Sequence, residues 1–351
     1  MTHFLADILR QPQELERTFE FLCGGGHPLL MEGATAIRRV RHVYLTGIGS
    51  SWHAALNAGS LFHRAGFPVQ MRDAAELLHW DSVPQPSAII AISRSGRSAE
   101  IVELVSKARQ NGVIVIGVTA MGDGPLAQHA QVPIVVPVGL DHAISVNTYS
   151  VLSAAASALA GMTVGSFDDK VAASLVRATG ETGKCLASWQ ELVRNSPWLA
   201  PRSTCYFLAR TTSLGSCNEA RLLWEEAVKS PATALGTGGF RHGPQEVIAE
   251  NVRFGLWIDG QTMRDQDLAV ARDLRRLGAS VMLIGQDLPE RDGDLVFQIP
   301  RIPPEWQFLT DIIPAQLVAE RLAELSGVNC DVFRLCPYII EDERGLLPGA
   351  E

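Results

Sequence analysis

The chain has 351 residues, 46% of them apolar, a mean hydropathy of +0.10 and a formal net charge of −8. That length is enough for two domains or one large one, and the apolar content fits a well-buried α/β protein. The acidic balance, with no long basic stretch, argues against a nucleic-acid surface, and no apolar run approaches the roughly 20 residues of a membrane helix.

Six cysteines are scattered without a C-x-x-C, so neither a zinc site nor a disulfide framework is expected. Reduced thiols in a cytoplasmic protein are the default. The opening Met1-Thr2-His3-Phe4-Leu5-Ala6-Asp7 has neither the basic nor the long apolar region of a signal peptide. The nine histidines do not cluster with carboxylates at ligand spacing, so no metal and no cofactor is expected.

Residues 1–33 read as an N-terminal helical segment, with Pro12 placed where a new helix could begin. Gly24-Gly25-Gly26 breaks the pattern. Residues 34–165 form a first α/β unit, with strands at 43–45, 88–92, 113–118 and 133–138 and helices at 52–64, 98–110 and 145–160. Short β-branched runs alternating with helices predict a doubly wound parallel sheet covered on both faces.

Two connections in this unit stand out. Val43-Tyr44-Leu45-Thr46 runs into Gly47-Ile48-Gly49-Ser50-Ser51 and a helix, and Ala88-Ile89-Ile90-Ala91-Ile92 runs into Ser93-Arg94-Ser95-Gly96-Arg97-Ser98 and a helix. Glycine lets the backbone approach a ligand closely. Helix-start amides and serine hydroxyls then suit a phosphate, and two such loops on neighbouring strands could grip it from two sides. No G-x-x-x-x-G-K-[ST] is present, and Trp52 stands where a dinucleotide loop needs its third glycine.

A linking helix is predicted within 166–195 and a second α/β unit over 196–328, with strands at 205–209, 253–258, 280–284 and 295–299 and helices at 217–228 and 266–277. The strand–loop–helix order thus recurs after about 160 residues, a domain-scale duplication. The second copy has Arg210-Thr211-Thr212-Ser213 where the first has its first serine loop, and Asp259-Gly260 in place of its second. One half is therefore expected to bind phosphate and the other to supply chemistry. A helical stretch at 305–326 with a kink at Pro314, and an irregular tail over 329–351, complete the chain.

Gly49-Ser50-Ser51, the run from Ser93 to Ser98, the helix from Glu219 to Glu226 and Arg241-His242-Gly243-Pro244 carry a resemblance. The chain resembles the sugar-isomerase (SIS) domain proteins, specifically the double-SIS isomerase half of glucosamine-6-phosphate synthase and its stand-alone relatives. The resemblance implies two tandem flavodoxin-like SIS subdomains, a sugar 6-phosphate or amino-sugar 6-phosphate as ligand, and a homodimer with shared active sites. It begins at the isomerase region, so no glutaminase activity is expected.

The resemblance makes Gly49, Ser50, Ser51, Ser93, Arg94, Ser95, Gly96 and Ser98 the phosphate and substrate contacts. Arg94 stands where the synthases usually have Gln; its side chain could add a charge-assisted contact, point to solvent or pair with an acid. Glu226 matches the glutamate that moves a proton between C1 and C2, and His242 the histidine that helps open the sugar ring from the neighbouring subunit. Glu219, seven residues before Glu226, falls on the same face of a regular helix, which fits either acid/base work or a solvated face.

Two positions depart from the synthases. Tyr338 stands at the imine-forming tail lysine and Leu223 at a helix lysine, and no lysine follows Lys229. A tail-lysine iminium route is therefore closed, while isomerisation or amine release stays open. Tyr338 is a possible tail contact, as a weak acid or by packing. The leading expectation is a phosphosugar isomerase or deaminase. The alternatives are a non-catalytic phosphosugar sensor and a lyase using the same glutamate.

Overall fold

A computed structural model describes residues 1–200, 204–343 and 345–346. The expected tail is therefore described only to Leu346, without residue 344. The chain divides into two compact units: Gln13–Val176 with Val332–Glu351, and Met1–Pro12 with Arg177–Asp331.

The first unit holds α2 (His27–Arg38), β1 (His42–Thr46), α3 (Ser50–Arg64), β2 (Gln70–Met71), α4 (Ala74–His79), β3 (Ser87–Ser93), α5 (Ala99–Gln110), β4 (Ile114–Thr119), α6 (Pro125–His129), β5 (Val132–Val135) and α7 (Asn147–Val164). Its five strands are all parallel, in the order β2-β1-β3-β4-β5. Every residue of β3 is buried, as a strand covered on both faces requires, whereas the edge strand β5 carries Pro133, whose missing N–H is tolerated at an edge. β2 has only two residues, too short to leave a sequence pattern.

This strand order reverses direction between β1 and β3. In open α/β sheets ligands bind outside the carboxyl ends of the strands at such a reversal. Thr46 lies opposite Ala91 in the ladder, so the two serine-rich loops leave adjacent strands at the same end. Behind them α7 is buried along almost its whole length, with Ala, Ser and Gly dominating. Asn57 of α3 donates to Tyr149 Oη at 3.0 Å and to Ser153 Oγ at 3.1 Å, locking α3 onto α7.

The second unit holds β6 (Thr204–Ala209), α9 (Leu214–Leu223), β7 (Ala232–Gly236), α10 (Thr237–Phe240), β8 (Val252–Trp257), α11 (Arg264–Arg276), β9 (Ser280–Gly285), β10 (Leu295–Gln298), α12 (Phe308–Asp311) and α13 (Ile313–Leu325). Its parallel order, β10-β9-β8-β6-β7, repeats the first topology and places the reversal between β6 and β8. The expected α/β architecture with two tandem doubly wound sheets is the one observed. Two helices, α1 (His3–Cys23) and α8 (Asp169–Arg194), complete the inventory.

Three local expectations are corrected. Helix α1 runs through Pro12 instead of restarting there: the Ile8 carbonyl that a Pro12 N–H would have met accepts from Gln11 Nε2 at 3.3 Å. The helical stretch at 305–326 breaks at Ile312, between α12 and α13, and Pro314 sits in the first turn of α13, where a missing N–H costs nothing. Helix α9 ends at Leu223, and Trp224–Val228 is a π-helical turn closed by Lys229 in the left-handed region, φ 57°.

Candidate active site

The first loop is shaped by glycine. A Cβ on Gly47 would lie 2.6 Å from the carbonyl carbon and oxygen of Ser51, so no side chain fits while α3 begins where it does. Gly49 adopts φ 56°, open to glycine at little cost, and α3 starts at the next residue. Ser50 and Ser51 thus occupy the first turn of a helix, where amides point outward and the helix dipole favours an anion.

The second loop is held by its own serines. Ser93 Oγ accepts from Gly96 N at 3.0 Å and Ser95 Oγ from Arg97 N at 3.2 Å, and both residues are buried. Each hydroxyl keeps its own hydrogen for an acceptor. Gly96 has φ 65°, and a Cβ there would lie 2.9 Å from Leu126 Cβ. The Arg94 carbonyl accepts from Thr119 Oγ1 at 3.1 Å and from Ala120 N at 3.2 Å, tying the loop to the end of β4. Ser98 is the N-cap residue of α5, and its side chain makes no capping bond.

The Arg94 side chain neither points simply to solvent nor pairs with an acid. Its Nη1 donates to Ala143 O at 3.3 Å and to Ser145 Oγ at 3.2 Å, and its Nη2 donates to Tyr338 O at 2.9 Å. The guanidinium carbon lies 4.0 Å from the centroid of the Tyr338 ring, and Tyr338 Oη donates to Asp141 O at 3.0 Å. Tail and loop meet again where Ala99 N, the first amide of α5, donates to Ile340 O at 3.1 Å, and His79 Nε2 lies 3.0 Å from Glu343 Oε2. The tail therefore packs against the serine loop through backbone and side chain together.

Asp141 anchors the other side. Its buried carboxylate accepts from the amides of Val146, Asn147 and Thr148 and from Thr148 Oγ1 at 2.6 Å, closing the amino end of α7. Glu100, in the first turn of α5, is also buried. Burial first, and then the charges of Glu343 and Asp73, push its carboxyl above the ordinary range. Asp141, Ile340 and Glu343 escaped sequence reasoning, because a carboxylate holding a helix start and a tail carbonyl on an amide leave no spaced motif.

The corresponding loops of the second unit are occupied by its own carboxylates. After β6, Ser213 Oγ donates to Asp311 Oδ2 at 2.7 Å and Ser216 Oγ to Asp311 Oδ1 at 2.5 Å, while Arg210 Nε meets Asp267 Oδ1 at 2.6 Å. After β8, Asp259 Oδ2 accepts from Thr262 N at 3.0 Å and Met263 N at 2.8 Å. The loops of the second unit thus spend their donors on the chain's own carboxylates. Burial raises the Asp311 carboxyl to about 6 despite its serine donors.

Glu226 lies in the π-helical turn and is half-buried, its carbonyl accepting from Lys229 Nζ. The expectation that Glu219 shares its face is drawn on a regular α-helix, whereas Glu226 lies beyond the end of α9, in the π-helical turn. Glu219 is fully buried. Glu225 pairs with Arg221 at 2.5 Å. His242 is exposed on the turn after α10, its amide donating to Gly239 O at 3.0 Å, and the following Gly243 adopts φ 119°. The serine loops and Tyr338 belong to one compact unit; Glu226 and His242 belong to the other.

Among the described residues no three His, Cys, Asp or Glu side chains gather as a metal site, and no helix is long and apolar enough to cross a membrane. None of the six cysteines forms a disulfide.

Fold and loops together define a tandem doubly wound α/β protein with two serine-rich loops at one sheet reversal. Residues 36–162 match the SIS domain family. Those residues thus match an SIS domain, and the fold of the chain resembles that of the C-terminal domain of glucosamine-fructose-6-phosphate aminotransferase from Francisella tularensis, with a TM-score of 0.80 at 18% identity, covering 93% of this chain and 97% of that one. It is similar to the glutamine–fructose-6-phosphate aminotransferase (isomerizing) of Pyrococcus horikoshii, 25% identical over 343 residues, covering 94% of this chain and 56% of that protein. The chain thus spans little more than half of that relative's length. Among solved structures, the tagatose-6-phosphate ketose/aldose isomerase of Escherichia coli superposes with a TM-score of 0.82 at 19% identity, covering 95% of this chain and 96% of that one. The glucosamine-6-phosphate deaminase of Thermotoga maritima gives 0.78 at 20% identity, covering 94% and 97%.

Proposed function

We propose that this protein is an isomerase or deaminase of a ketose or amino-sugar 6-phosphate, working by proton transfer between C1 and C2. The observation that carries this reading is the pair of serine-rich loops at the β1/β3 reversal, set beside second-unit loops that spend their donors on the chain's own carboxylates. The phosphate sits against the first turns of α3 and α5, with the hydroxyls of Ser51, Ser93, Ser95 and Ser98 and the backbone around Gly49, Ser50, Arg94 and Gly96 as its donors. The names of the E. coli and T. maritima proteins support this substrate class.

Glu226 is the base. In an isomerisation its carboxylate takes the C1 proton of the open-chain ketose while O2 gains a proton, giving a cis-enediol; the carboxylate returns its proton to C2 as O1 gives up its hydroxyl proton, so that the C2 carbonyl becomes a hydroxyl and C1 an aldehyde. In a deamination the proton leaves C2 of the 2-amino aldose and arrives at C1, while one amine proton passes to O1. The resulting C2 imine takes up water and releases ammonia, leaving a ketose phosphate. His242, exposed on its turn, opens the ring from the partner subunit of a homodimer. Tyr338 carries no amine, so neither route passes through a tail iminium.

The test is solvent exchange. The protein is incubated in D₂O with fructose 6-phosphate, glucosamine 6-phosphate or fructosamine 6-phosphate, and C1 and C2 are followed by NMR. Deuterium entry at either carbon is the expected result, and the best substrate fixes the reaction. A second reading, a phosphosugar sensor, draws on Tyr338 at the position of the synthase lysine. Ligand line-broadening with no exchange would establish it and remove Glu226 from catalysis.

A further inference from the structure

The amino end of the second sheet opens on a cavity of about 580 Å³. Thr204 and Cys205 at the start of β6 line it, together with Arg253 of β8, which pairs with Cys205 in the ladder. Arg253 is only 3% exposed. Its guanidinium carbon lies 5.0 Å from the ring of Trp198 and 5.6 Å from that of Trp224, and its Nη2 donates to Ala200 O at 2.7 Å. The two indoles meet edge to face at 6.1 Å, and Trp198 Nε1 is fixed on Phe254 O at 3.2 Å. The charge is therefore held in one place by a rigid frame.

The rest of the lining is of two kinds. Val228, Leu322 and Leu325 give an apolar wall, and Ser196, Ser230 and Ser326 bring hydroxyls. A cavity of a few hundred Å³ with an apolar lining and a few placed polar groups has the make-up of a small-molecule site. A planar guanidinium with five donors recognises a carboxylate through two parallel hydrogen bonds. Trp224 and Val228 flank Glu226 within the π-helical turn, two residues to either side, and both are buried where Glu226 is not. The cavity thus borders the side of that turn turned away from Glu226.

We propose that this cavity is a second binding site, for a compact organic carboxylate with an apolar body, and that its occupant adjusts the turn carrying Glu226. Arg253 takes the carboxylate, the leucines and Val228 take the body, and Trp224 passes the displacement to the turn. The binding claim stands independently of the catalytic reading; only the effect on turnover rests on it.

Saturation-transfer NMR with benzoate, phenyl phosphate and benzyl alcohol as probes tests it on the whole chain. Transfer to benzoate is expected, at least tenfold weaker in Arg253→Gln and absent in Ser326→Trp, where an exposed position at the cavity receives an indole. Fructose 6-phosphate binding should be unchanged in Ser326→Trp, which separates this site from the serine loops and guards against misfolding. Benzoate binding that survives both variants, or no binding at all, overturns the site. Equal transfer to benzyl alcohol overturns the role of Arg253, and stronger transfer to phenyl phosphate overturns the choice of carboxylate. Benzoate should also change the deuterium-exchange rate of the wild-type protein; an unchanged rate with benzoate bound overturns the coupling alone.

Discussion

The ring of Tyr338 lies over the guanidinium of Arg94, 4.0 Å from ring centroid to the central carbon, while the Tyr338 carbonyl accepts from the same side chain at 2.9 Å. One tail residue thus meets one loop residue through its ring and its backbone. The contact fixes where the Arg94 charge resides and draws the tail across the start of α5.

Removing the ring should release the tail. Stacking of this kind and a neutral hydrogen bond together contribute about 1–2 kcal/mol, roughly tenfold in the population of a detached tail. Tyr338→Ala is expected to speed tryptic cleavage after the exposed Arg334 by about that factor, followed by mass spectrometry. Tyr338→Phe loses only the bond to Asp141 O and should change the rate far less. Equal rates in all three proteins would show that the tail is held elsewhere.

Ser51→Ala combined with Ser95→Ala should weaken phosphosugar binding at least tenfold by calorimetry. Hydrogen bonds to a charged group contribute roughly 1.5–3 kcal/mol each. Ser95→Ala also strips the acceptor from Arg97 N, so the loop itself loosens. Ser213→Ala, the corresponding change in the second unit, should leave affinity intact, because that hydroxyl already serves Asp311. Retained affinity in the double variant would move the phosphate away from these loops.

Glu226→Gln should bind the sugar phosphate as wild type does while deuterium no longer enters C1 or C2. The amide keeps the shape of the carboxylate and cannot take the proton. A variant that still exchanges at the wild-type rate removes Glu226 from the reaction.

Asp311 gives the protein a pH-dependent stability. Burial raises its carboxyl from 3.8 to about 6, so the protonated form is the one the fold prefers. Its contribution is fully present below about 3.8 and is lost as the pH rises through about 6. At about 1.4 kcal/mol per pKa unit, the change amounts to about 3 kcal/mol. Thermal melts should show wild type losing ground to Asp311→Asn between pH 4 and pH 6.5 and holding a constant gap above that range. Parallel curves would mean that the serine donors hold the carboxylate ionised throughout.

Much of the fold was legible in the chain. The β-branched runs of β3 and β4, and the large apolar and aromatic side chains of β1, β6, β8 and β9, read as strands because such side chains pack well on a pleated surface. β7 was missed: Ala-Thr-Ala-Leu-Gly has no aromatic residue and mostly small side chains, and pairing with β6 decides its state. Pro12 misled for a similar reason, since the side chain of Gln11 supplies what proline withholds.

The doubled α/β order and the two serine-glycine loops are written locally along the chain, because period, side-chain bulk and glycine act over a few residues. Tertiary structure decided what those loops touch. Only the fold brings Tyr338 onto Arg94, 244 positions apart in the chain, and Ser213 onto Asp311, 98 apart. Only the fold converts the end of α9 into the π turn that carries Glu226. Local propensity has no reach over such separations, and the free energy of these contacts exists only once both partners have been brought together.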